Sequence, residues 1–139
     1  MVNANGFDCN LVARAAICAF FAILFLQSGF DKVFDWKGNL DWLTGHFGKS
    51  PLKGMVRLML GTLTFFELAT GVVSAAATVM FFFGDAWRVP GLAMTMAAAT
   101  LLMLFFGQRV AKDYPGAAVI ATYFVVAILG LWSIGTWIR

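Results

Sequence analysis

Glu67 is the residue that asks most of its surroundings. It lies well inside a long apolar run, and an unpaired carboxylate at that depth in a membrane costs on the order of 3 kcal/mol. Gly61, Thr64, Gly71, Ser74 and Thr78 share its helical face at spacings of three and four. That small, polar face belongs against other helices rather than lipid. The exit of the preceding apolar run carries Gln27, Ser28, Asp31, Lys32 and Asp35. In an antiparallel hairpin this exit lies beside the entry of the next helix, bringing Gln27 or Lys32 toward Arg57 or Glu67. A Lys32–Glu67 pair would relieve the burial of both charges. Tyr123, deep in the last apolar run, needs a hydrogen-bond partner and can face the same stripe. Two roles stay open for Glu67: a site that handles a ligand or a proton, or a structural hydrogen-bonder between helices. Lys32 either pairs with it or snorkels to mark the membrane boundary.

Other chemistries lack their residues. His46 is the single histidine and sits in a loop segment, where a solvated ring is expected. Cys9 and Cys18 are the two cysteines; nine residues of helix separate them by about 13 Å, too far for a disulfide. No CxxC, CxxCH, GxGxxG or GxxxxGK[ST] pattern occurs, so thiol exchange, haem attachment and nucleotide binding have no signature.

The elements that position Glu67 follow from composition. Of 139 residues, 61% are hydrophobic and 12% charged, and mean hydropathy is +0.84. A soluble domain carries roughly a quarter charged residues, so most of this surface faces something other than water. A spanning helix takes about 20 apolar residues, and four runs qualify, at about 11–30, 55–83, 89–106 and 116–138. The fold class expected is therefore an all-α membrane protein, an up-down four-transmembrane-helix bundle forming a single domain. Loop 31–53 carries Leu40, Leu43 and Phe47 at helical spacing, with Trp36 and Trp42 suited to the headgroup level. The expected element is a short amphipathic interfacial helix, capped by Asn39 and ended near Gly48. Pro90 and Pro115 stand at the starts of the third and fourth spans. Arg14 can snorkel from the first, and Phe81, Phe82, Phe83 and Trp87 form an aromatic girdle after the second.

The net charge of +3 belongs to topology and lipid headgroups rather than nucleic acid. Lys32, Lys37, Lys49, Lys53, Arg109 and Lys112 fall in the first and third loops. Only Arg14, Arg88 and Arg139 fall on the other side. The positive-inside rule then places both termini outside. The first run follows a segment without Lys or Arg and reads as a retained span, not a cleaved leader.

Two motifs carry a family resemblance that covers nearly the whole chain. Phe25-Leu26-Gln27-Ser28-Gly29-Phe30-Asp31-Lys32 resembles the [FL]-x-x-[SA]-G-x-x-K signature of DoxX-like membrane proteins, and Phe66-Glu67-Leu68-Ala69-Thr70-Gly71 resembles their E-x-x-x-G element. The chain departs from the family in its later spans, where many members carry His or Asn. Here the third span reads as almost wholly apolar until Gln108, and the fourth offers Thr122, Tyr123, Ser133 and Thr136.

The resemblance implies a multi-pass protein of the bacterial inner membrane, in a family named for a quinone-linked thiosulfate-oxidising subunit. With so little chemistry and so little mass outside the bilayer, the leading expectation is an auxiliary subunit packed against other membrane-protein subunits of a larger, respiratory complex. Small residues on several spans, such as Gly61, Gly71, Gly116 and Gly130, allow tight helix association. No cofactor motif is evident. The first alternative is a quinone-linked redox protein whose cofactor-binding residues are Glu67, Lys32, Gln27 and Tyr123, with Phe and Met side chains around the tail. The second is a small transporter or lipid-binding module.

Overall fold

A computed structural model of the chain describes residues 8–83 and 88–135. Trp87, Thr136, Arg139 and the end of the fourth expected span lie outside the described residues. Within them the chain folds into five helices: α1 (Cys9–Phe34), α2 (Trp36–His46), α3 (Val56–Met80), α4 (Arg88–Val110) and α5 (Tyr114–Gly135). All but α2 are long and apolar enough to cross a membrane. The protein is an all-α, multi-pass membrane protein.

Residue pairs fix the bundle as up-down. Leu26 faces Gly71 and Gly29 faces Leu68, so α1 and α3 run antiparallel. Thr70 meets Thr100 between α3 and α4, Met94 meets Gly130 between α4 and α5, and Arg14 meets Ser133 between α1 and α5. The helices form a ring in the order α1–α3–α4–α5. On its diagonal, α3 and α5 make no close backbone approach. Phe21 and Phe25 of α1, Met94 and Leu101 of α4, and Ala127 of α5 fill the centre.

The helix boundaries have local causes, some of which differ from the sequence expectation. Asp8 caps α1, accepting from the backbone N–H groups of Asn10 and Leu11. The helix continues to Phe34, past the expected end near residue 30, because helical geometry persists after the apolar run stops. Asp35, not Asn39, caps α2 by accepting from Gly38 N. Asn39 instead turns its amide back onto the carbonyls of Asp31 and Asp35, adding a second bond to acceptors that already take the backbone N–H groups of Asp35 and Asn39. The segment expected to be loop until about Asn39 is therefore helix. α3 stops at Met80, and Phe81–Phe83 form a turn held by bonds to Val79 O and Met80 O. Phe82 and Phe83 are exposed, as an interface girdle requires.

The α4–α5 connection is tight. Asp113 N donates to Gln108 O and Lys112 N to Arg109 O, the paired bonds of a Schellman motif. Lys112 adopts the required left-handed conformation, with φ 60°. Asp113 then caps α5 through Gly116 N, so α5 begins at Tyr114 and Pro115 falls inside its first turn.

α2 straps the end of the bundle from which α3 starts. It contains no fully buried residue, but Trp36 lies over Gly61 and the next residue, Phe47, is buried beside Gly107.

Candidate functional site

The α1–α3 contact is where the intramembrane charge is met. Glu67 is 1% exposed. Its Oε1 accepts from Ser28 Oγ at 2.9 Å and from Lys32 Nζ at 3.2 Å. Its Oε2 lies 2.9 Å from the same ammonium but without hydrogen-bond alignment, so the contact there is ionic. Lys32 Nζ also donates to Ser28 Oγ at 2.7 Å and to Ser28 O at 3.2 Å. The ammonium thus faces a carboxylate, a hydroxyl and the Ser28 carbonyl, and Lys32 stands in the last turn of α1, where the helix dipole favours a cation.

Glycines set this geometry. A β-carbon on Gly71 would sit 2.9 Å from Leu26 N, a backbone atom that cannot rotate away. One on Gly29 would meet the side chain of Leu68. The two backbones approach closely because both positions lack a side chain. At that separation the short Ser28 hydroxyl reaches Glu67, one turn from Gly71. With the carboxylate closed off, its chemistry is that of a neutralised clamp between two spans.

The four residues expected to hold a ligand together do not converge. Lys32 and Glu67 meet, whereas Gln27 is exposed on the outer face of α1. The side chains of residues 27 and 28 leave a helix about 100° apart, so Ser28 turns inward and Gln27 does not. Tyr123 lies on α5, across the diagonal from α3, and packs edge-on against Phe20 at 5.8 Å between ring centroids. Arg57 is exposed beside a shallow cleft lined by Trp36 and Gly61. Asp31 is also exposed. The polar face of α3 does point inward: Thr64, Glu67, Thr70, Gly71 and Ser74 are all buried.

Three interactions escape the sequence expectation. The third span is almost wholly apolar before Gln108, as expected, but its Thr100 is fully buried and places its hydroxyl 3.0 Å from that of Thr70. Thr70 stands three residues after Glu67, a spacing that could have flagged it. Arg14 does more than snorkel: Nε donates to Ser133 Oγ at 3.1 Å and a terminal nitrogen to Ser133 O at 2.9 Å. His46 is not simply solvated. Its ring stacks on Trp42 at 4.6 Å, and Nε2 lies 3.3 Å from Gln108 Oε1 and 3.7 Å from Asp113 Oδ2. Only the Trp42–His46 spacing of four was visible in sequence.

The chain matches no protein-family model, no curated protein and no solved structure.

Beneath α2, between α3 and α4, runs an apolar groove of about 330 Å³. Phe47, Met59, Leu63, Met103 and Leu104 line it, with Trp42, His46 and Gln108 also on its walls. It lies apart from Glu67, which is not among its lining residues.

Proposed function

We propose that this chain is a DoxX-like auxiliary subunit that packs against a larger membrane complex, respiratory in type, of the bacterial inner membrane. The observation that carries this reading is the closed state of Glu67: its carboxylate is buried and spent on Ser28 and Lys32 of the same protein. A site built to bind or turn over a ligand keeps an open position, whereas a clamp does not. The residues behind the family resemblance support it too. Ser28, Gly29, Lys32, Glu67 and Gly71 come together at one helix contact. Both termini lie outside and the α2 strap inside, by the distribution of Lys and Arg.

Native isolation in a gentle detergent, with particle mass and co-purifying proteins measured together, tests the proposal. The expected result is a particle containing at least one other membrane protein in fixed ratio. A lone 15.1 kDa chain that stays folded and carries no partner overturns it.

A second reading, quinone binding, is favoured by a different observation from the ion pair. The groove under α2 offers apolar walls for an isoprenoid tail and hydrogen-bonding groups from His46 and Gln108 for a ring carbonyl. Quinone retained by the purified protein and lost on His46→Ala or Gln108→Ala would support it. Equal retention by those variants would remove it.

A further inference from the structure

α1 presents to the membrane a face that lipid alone does not satisfy. Ala16, Phe20, Ile23, Gln27, Phe30 and Phe34 are all exposed and follow each other at alternating spacings of four and three. That is the seam period of a left-handed helix pair, in which a single polar side chain fixes register and partner. Against acyl chains the apolar members need no cover. The amide of Gln27 does, because a primary amide in hydrocarbon loses its water without replacement. Two exposed hydroxyls on other spans, those of Thr95 and Thr122, meet this demand within their own helices. Thr95 donates to Gly91 O and Thr122 to Ala118 O. Gln27 has no such bond among the described residues.

One turn toward the membrane boundary, Asp31 is exposed on the same side of the helix. Its carboxylate makes no ion pair among the described residues, and the neighbouring Lys32 is committed to Glu67. Unlike Asp35 and Asp41, which lie beyond the seam, this unpaired acid stands one turn from the Gln27 amide on the same face and offers a site for a cation from outside the chain. A second copy docked by two-fold symmetry along this seam would bring Asp31 toward Asp31, setting like charges together. A foreign helix carries no such conflict.

We propose that this outer face of α1 is the docking surface for a membrane-spanning helix of another protein. That helix offers a hydrogen-bonding side chain at the depth of Gln27 and a Lys or Arg one turn nearer the boundary, opposite Asp31. The inference rests on the auxiliary-subunit reading and names its contact surface.

The test places a photoreactive benzoylphenylalanine at Ile23 or Phe30, with Val72 on α3 and Val125 on α5 as lipid-facing controls, in native membranes. The expected result is one cross-linked membrane protein from the two α1 positions and none from the controls, with a basic residue at the boundary of its cross-linked helix. Gln27→Leu should lower the yield roughly three- to tenfold, the range for one interhelical hydrogen bond. Asp31→Lys should lower it as well, and reversing the partner's basic residue should restore it. Adducts at twice the mass of the chain overturn the proposal in favour of self-association. Lipid adducts alone, equal yield from the controls, or indifference to both Gln27→Leu and Asp31→Lys also overturn it. If the native particle is large while α1 captures only lipid, the docking surface fails and the auxiliary-subunit reading stands. A lone chain on native isolation removes both.

Discussion

Lys32 and Glu67 are each costly alone and tolerable together. Buried at 1% exposure with the ammonium 2.9 Å away, the carboxylate depends on a partner only 14% exposed itself. Removing one charge strands the other, so Glu67→Ala is expected to destabilise the protein by about 3–5 kcal/mol. Replacing both, as Lys32→Met with Glu67→Leu, removes the desolvation burden along with the attraction. The double variant should lie near the wild type or above it. Thermal or denaturant unfolding in detergent measures both. Equal damage from the single and double variants would mean that Glu67 acts through something other than Lys32.

At the scale of elements, close approach and loop geometry set the tolerances. Gly71→Ala places a methyl group 2.9 Å from Leu26 N, so α1 and α3 must separate and the Ser28–Glu67 bond must lengthen. The expected loss is about 1–3 kcal/mol, read as a lower unfolding midpoint. Lys112 gives the opposite opportunity. It holds φ 60° at the Schellman position, where a β-carbon costs about 1 kcal/mol or more. Lys112→Gly should stabilise by roughly 0.5–1 kcal/mol after the entropy of glycine is set against it. An unchanged midpoint would show that the left-handed turn carries no strain. α2 shows how a short helix is held without a buried face of its own. Trp36, His46 and Phe47 anchor it at both ends, on Gly61, on Gln108 with Asp113, and beside Gly107.

For the whole molecule, the decisive property is orientation, and the two cysteines report it. Cys9 is exposed at the start of α1 and Cys18 is buried two and a half turns later. In the proposed orientation, with the termini outside, a membrane-impermeant maleimide added to intact cells should label Cys9, leaving Cys18 untouched until the protein is denatured. Labelling of Cys9 that appears only after permeabilisation would invert the topology. It would also move the groove, the α2 strap and the Lys-rich boundary to the outer leaflet.

Four spans, the interfacial helix and the tendency of Lys32 and Glu67 to pair were legible in the residues. The bilayer imposes a length and an apolarity on any helix that crosses it, and it makes an unmet charge so costly that its partner can be sought by type and depth. The polar face of α3 was equally legible, because spacings of three and four mark one side of any helix. What periodicity does not say is which neighbour that side meets. Only the ring order α1–α3–α4–α5 put Tyr123 across a diagonal from Glu67 and Thr100 against Thr70. The close α1–α3 contact at Gly71 turned Ser28 inward and Gln27 out. His46 found Gln108 and Asp113 more than sixty residues away because α2 folds back over the bundle. Hydropathy is a property of each segment and is written locally. Adjacency depends on how all the segments share one volume, and that was settled only by the packing of the helices.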